Sequence, residues 1–270
     1  MAPQEQGGNE MPARDVISGL SRFEFWLYSS WFKFLIQYRK TLLGPVWLLV
    51  GPALFILVLG LLFSQVNAVD ADLFIPHLTI GLITWTLISG FVTNSTTVFQ
   101  RSRPQILQGT MRLSDIVMVD IISTVLQFLH QVVIVFAVFL IYSRSVSLYS
   151  FVSLLGLALL IANGIWLTVF FGIIGARFRD LAEIVGAIMR IAFLATPIIW
   201  LPGETSHGLL MSAFLTFNPF YHFLELVRAP LLNAAIAPLS WMVVLTLTVI
   251  GFALAIVFYQ RFFRQVPLWV

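Results

Sequence analysis

Long apolar runs separated by short, arginine-bearing polar stretches set the pattern of this chain. Five runs are each close to the ~20 residues that carry a helix across a ~30 Å hydrocarbon core. They predict spanning helices over Pro45–Val66, Pro76–Phe99, Ile116–Tyr142, Phe151–Gly175 and Trp241–Tyr259. A sixth, Ile184–Leu201, is shorter and carries Arg190. The stretch Pro202–Pro238 is apolar but broken by Pro202, Gly203, Gly208, Pro219 and Pro230. These breakers predict two short helices dipping into the outer leaflet rather than another span. Ahead of the first run, Ser18–Lys40 is rich in aromatics but punctuated by Arg22, Glu24, Lys33 and Arg39. It predicts an amphipathic helix in the cytoplasmic interface. Met1–Pro12 is polar and acidic, without the basic start and apolar core of a secretory signal, and reads as a disordered cytoplasmic tail. The expected fold class is an all-α integral membrane protein. Its parts are a tail over 1–17, an interface helix and loop over 18–44, and a six-helix transmembrane domain over 45–270.

Composition points the same way. Residues of the types AVILMFWYC make up 59% of the 270 positions and DEKR only 10%, with a mean hydropathy of +0.96. That is too little charge to cover a soluble domain, so lipid must be the main outer solvent. A net charge of +3 and a pI near 9.5 would suit nucleic acid, but the cations sit beside apolar runs instead of forming one patch, and no nucleic-acid partner is expected. Topology explains them: Arg14, Arg22, Lys33, Arg39, Lys40, Arg101, Arg103, Arg112, Arg177, Arg179, Arg261 and Arg264 fall on one side of the predicted spans, against Arg144 and Arg228 on the other. Positive-inside bias makes the first side, with both termini, cytoplasmic. There are no cysteines, which excludes disulfides and thiol chemistry.

A phosphate-binding loop needs lysine, and the only lysines, Lys33 and Lys40, follow Phe32 and Arg39. No such loop exists, so any ATP is hydrolysed by another subunit. Ion-driven transport would place carboxylates or histidines deep in the bilayer, where the candidates are Asp120, His130 and Arg190. Asp120, Ser123, Thr124, Gln127, His130 and Gln131 share one helical face, suited either to interhelical hydrogen bonds or to the wall of a hydrophilic passage. Asp120 and Arg190 lie at similar depth from their helix starts, which allows an intramembrane ion pair. Thr86, Ser89, Thr93 and Thr97 form a second polar stripe with Trp85 beside it, a pattern compatible with carbohydrate as well as with an interfacial aromatic belt. The four histidines lack ligand spacing, so no metal site is expected. Asn218-Pro219 reads as a helix cap, and Glu225 and Arg228 as an i, i+3 pair.

Several stretches taken together resemble the permease subunits of polysaccharide-exporting ABC transporters, closest to the O-antigen branch, with capsule and teichoic acid exporters related. They are QYRKTLLGPVWLLVGP (Gln37–Pro52), GLITWTLISGFV (Gly81–Val92), GARFRDLAEIVGAIMRIAFLATPIIW (Gly175–Trp200) and NPFYHFLELVRAPLL (Asn218–Leu232). The loop RSRPQILQGTMRLSD departs from that branch's pattern. The resemblance implies a homodimer on two copies of an ABC ATPase in a bacterial inner membrane, moving a lipid-linked polysaccharide through a channel. ATP and Mg would be bound by the partner and no cofactor by this chain. A lipid pyrophosphate would enter near the Leu-Gly loop, Leu43 and Gly44, where Tyr38, Arg39, Lys40 and Trp47 supply cations and a ring face. Positive-inside topology with an aromatic anchor accounts for the same residues. The channel would be lined by Trp85, Ser89, Thr93, Gln127 and His130. Arg101, Arg103, Arg112, Arg177, Arg179 and Asp180 would couple to the ATPase. Competing classes are an ion-coupled secondary transporter, against which stands the absence of an inverted repeat, and an intramembrane enzyme, for which no convergent acid, base or nucleophile is found.

Overall fold

The computed structural model describes residues 22–66, 70–201 and 209–270. The expected tail over 1–17, the helix start at Ser18 and the breakers Pro202, Gly203 and Gly208 lie outside these. Every regular element among the described residues is helical. In chain order they are α1 (Phe23–Tyr38), a 3-10 turn (Gly44–Val46), α2 (Trp47–Val66), α3 (Ala71–Ser95), α4 (Val98–Arg101), α5 (Arg103–Leu107), α6 (Leu113–Ile141) and a second 3-10 turn (Leu148–Phe151). Then come α7 (Val152–Arg177), α8 (Leu181–Ala195), α9 (Leu209–Phe217), α10 (Pro219–Leu231), α11 (Pro238–Phe262) and α12 (Val266–Trp269).

Five helices, α2, α3, α6, α7 and α11, are long and apolar enough to cross a membrane. The sixth run forms a shorter helix than expected: α8 has only 15 residues and stops at Ala195, short of Leu201. The cause is local. Thr196 precedes Pro197, whose ring disfavours helical backbone at the residue before it, and Thr196 sits at φ −92, ψ 138. α3 begins at Ala71, ahead of Pro76, because the Asp70 side chain caps it by accepting from the Asp72 amide at 3.0 Å.

α3 is the axis of the bundle: 78% of its apolar window is buried, against 11 to 33% in the other four long helices. It packs against α2, α6, α7, α8 and α10. Its contact with α7 near Gly175 is so close that a Cβ there would lie 1.8 Å from the Thr96 carbonyl oxygen. Turns and loops sort to two ends. At one, Arg22 meets Asp115, Gln100 donates to the Gly175 carbonyl at 2.6 Å, and Arg177 lies over the Trp269 ring. At the other, Arg144 donates to the Asp72 carbonyl and Asn233 to that of Ser145. Both described chain ends therefore lie at the same end of the molecule.

Candidate functional site

α1 runs along the first half of α6 in the same chain direction, and its polarity is the reverse of a soluble surface helix. The α6-facing side carries Arg22, Trp26, Ser30, Lys33 and Phe34, whereas Tyr28, Trp31, Phe32, Leu35 and Ile36 are exposed. Lipid as the outer solvent is what makes that arrangement stable. Two carboxylates on α6 receive the polar side. Asp115, fully buried, accepts from Arg22 Nη1 at 2.6 Å and from Trp26 Nε1 at 2.7 Å, and also caps the start of α6 by accepting from the Arg112 amide at 3.3 Å. One and a half turns on, Asp120 accepts from Lys33 Nζ at 3.5 Å and from Arg101 Nη2 at 3.3 Å, both through Oδ1.

Around Asp120 opens a polar cleft of about 200 Å³ between α1, α3, α4 and α6, lined by Lys33, Gln37, Asn94, Arg101, Ser123 and Gln127 among others. The Lys33 and Arg101 side chains are each about half exposed there, at 51% and 49%. The side-chain amides of Gln37 and Gln127, which line the cleft, make no hydrogen bond to other described residues. The polar face of α6 thus divides between the two roles open to it. Gln131 accepts from Thr86 and Thr124 from Asn94, which is interhelical bonding, while Asp120, Ser123 and Gln127 line the cleft.

The Asp120–Arg190 pair is not formed. Asp120 takes its partners from α1 and α4, and Arg190 stands on an exposed face of α8 beside Ile188, Ile191 and Leu194. Depth matched, but α8 packs on α3 and α7 rather than presenting that face to α6. Nor do the five expected channel residues form one wall in the single chain. Trp85, 6% exposed, is core, with ring centroids 5.8 Å from Phe193 and 5.4 Å from Phe220. Ser89 and Thr93 bond back to carbonyls of α3, and His130 bonds to the Leu126 carbonyl and packs on Phe34 at 4.7 Å. Gln127 alone of the five lines the cleft.

Between α1 and α2, Gly44 has φ +57, a left-handed conformation that glycine enters without penalty, so the loop turns there. Arg39, Lys40, Leu43 and Trp47 around it are exposed, and burial raises the Tyr38 hydroxyl pKa, which keeps it a proton donor. Of the residues expected to couple to an ATPase, Arg103, Arg177, Arg179 and Asp180 are exposed at the same end of the molecule, Arg112 sits at the start of α6, and Arg101 turns inward to Asp120.

A second charged cluster lies toward the opposite end. Arg228 of α10, 2% exposed, donates to Glu225 at 3.1 Å through Nε and again through Nη2, to His77 Nε2 of α3 at 3.0 Å and to the Pro197 carbonyl. Asn218 caps α10 by accepting from the Phe220 and Tyr221 amides and donates to Thr196 at 3.1 Å. The cap and the i, i+3 pair were legible in sequence. The partners His77, Pro197 and Thr196 were not, since nothing local ties α3 or the end of α8 to α10.

Over 227 residues the chain is 23% identical to an O-antigen export system permease protein RfbA of Klebsiella pneumoniae, covering 81% of this chain and 86% of that one. It is 24% identical over 187 residues to the protein of the same name from Myxococcus xanthus, covering 68% and 70%. The family described as ABC-2 type transporter matches residues 25–232, from α1 through α10 and so through both charged clusters, and the chain belongs to it.

Proposed function

We propose that this chain is the membrane subunit of an ATP-driven exporter that moves a lipid-linked polysaccharide, O-antigen in the first place, across the bacterial inner membrane. The observation that carries the reading is the likeness to two O-antigen export permeases along most of each chain. The sequence accords with it, because a chain without a phosphate-binding loop leaves ATP hydrolysis to a separate nucleotide-binding subunit. In this reading two copies of the chain enclose the channel and two ATPase subunits dock on the end bearing Arg103, Arg177, Arg179 and Asp180. That end is cytoplasmic, as the arginine bias requires, and the fifth of six crossings is made in pieces by α8, α9 and α10. The lipid pyrophosphate enters beside Gly44, where Arg39 and Lys40 offer charge, Tyr38 a neutral donor and Trp47 an exposed ring. Capsular polysaccharide or teichoic acid is the alternative cargo.

Purified chain shows no ATP turnover by itself and supports turnover and glycan export once the cognate nucleotide-binding subunit is added; hydrolysis by the chain alone, or export driven by an ion gradient without that subunit, overturns the reading. Orientation has its own check, since the chain has no native cysteine. A cysteine at Ser145 labels from outside and one at Ser102 only after permeabilisation, and the reverse pattern would invert the topology.

A further inference from the structure

The cleft around Asp120 holds more binding capacity than its own contacts use. Lys33 and Arg101 arrive from two different elements, yet both bond the same carboxylate oxygen, at 3.5 and 3.3 Å, leaving Asp120 Oδ2 without a partner among the described residues. Two cations against one carboxylate leave a net positive charge; Arg101 Nη2 also donates to the Asn94 carbonyl at 2.8 Å, which leaves its Nε and Nη1, and the Lys33 ammonium, with N–H groups to spare on half-exposed side chains. Amide groups of Gln37 and Gln127 complete the lining. At the Asp115 site a few residues away the carboxylate instead binds its partners at 2.6 and 2.7 Å and leaves no such room. Charge, donors and a single free acceptor together describe a receptor for one phosphoester that carries hydroxyl groups.

The surroundings say which phosphoester. Across α1 from its polar side lies an exposed apolar face of Tyr28, Trp31, Phe32, Leu35 and Ile36, which in a membrane protein meets acyl chains. Asp120 stands seven residues into α6, about 10 Å from its start, a depth at which headgroups rather than bulk water abut the protein if that end of α6 emerges from the bilayer. We propose that the cleft binds the headgroup phosphate of an anionic phospholipid, held by Lys33 and Arg101, with its glycerol hydroxyls donating to Asp120 and its acyl chains lying along the exposed face of α1. The lipid would fasten α1 to α6 and to α4. The inference does not depend on which polymer the chain exports.

The test is native mass spectrometry of the full-length chain in detergent, titrated with phosphatidylglycerol. Wild type retains one phosphatidylglycerol at concentrations where phosphatidylcholine is lost. Lys33→Gln and Arg101→Gln each weaken retention about fivefold, and the exposed control Arg261→Gln leaves it unchanged. Asp120→Asn separates this site from a purely structural ion cluster. It raises the positive charge of the cleft and holds phosphatidylglycerol as tightly as wild type or tighter; weaker retention overturns the proposal. Equal retention in wild type and both cation variants likewise overturns it, since the lipid would then be merely annular. Displacement by millimolar inorganic phosphate would assign the cleft to a free anion and overturn the lipid source.

Discussion

The charged groups around Asp120 and around Arg228 are built from similar side chains and differ in how completely they are paired. His77 and Asn94, one beside each cluster, are 17 residues apart on α3, or about 25 Å. Arg228 is enclosed, and its donors go to Glu225, His77 and the Pro197 carbonyl, three groups from three separate parts of the chain. Lys33 and Arg101 are half exposed and share one carboxylate oxygen at long distance, with one further bond from Arg101 to the Asn94 carbonyl. A buried charge with all three of its nitrogens bonded ties helices together and offers a ligand little, whereas a loosely shared carboxylate beside half-exposed cations contributes little to stability and leaves capacity for something else. Burial and pairing, more than residue type, separate scaffold from site here.

On that contrast, Arg228→Ala is the most damaging of these changes, costing about 3 to 5 kcal/mol because Glu225 and the Pro197 carbonyl lose their buried partner; monodisperse yield and thermal unfolding temperature in detergent should both fall sharply. A variant as stable as wild type would show that the cluster is dispensable. Gly175→Ala comes next, at about 1 to 3 kcal/mol, because the added methyl must displace the Thr96 carbonyl and the α3–α7 contact with it. Asp115→Asn should follow at about 1 to 3 kcal/mol, reported by protease sensitivity of α1, since Arg22 and Trp26 lose a charged acceptor. Smallest is Lys33→Ala, under about 1 kcal/mol. In a double-mutant cycle Lys33 and Asp120 should couple, while Asp120→Asn and Arg190→Gln should add without interaction, because the two never meet. Coupling between Asp120 and Arg190 would restore the ion pair that the structure replaces.

What the sequence made legible was whatever depends on hydropathy and on single breakers. The five long helices fall close to where the apolar runs place them, and Asn218-Pro219 caps α10 as its residues suggest. The sixth run was drawn too long because hydropathy continues through Pro197 to Leu201 while helical geometry does not; the signal was present in Thr196-Pro197 and lost to the apolar average. The Asp120–Arg190 pairing failed for another reason. Depth along a helix can be read from residue number, but the direction a side chain faces depends on which neighbour the helix packs against, and α1, whose charges point inward, was an unforeseen neighbour. Cleft residues were found singly, as a polar face on α6 and as an arginine in a loop, with nothing local to join them.

The early stop of α8 carries a mechanical consequence. Fifteen helical residues rise about 22 Å, some 8 Å less than an average hydrocarbon core. The carbonyl just past the stop is taken up by Arg228 and the threonine at the stop by Asn218, so the shortfall is fastened to α10 rather than left to lipid. In the proposed topology a bilayer of growing thickness should pull on that fastening before it pulls on any other helix, so that α8 would serve as the molecule's gauge of hydrophobic mismatch. Reconstitution into phospholipids of increasing acyl length should lower thermal stability most steeply where the Arg228 contacts are intact, and a flat response across chain lengths would show that the gauge does not read.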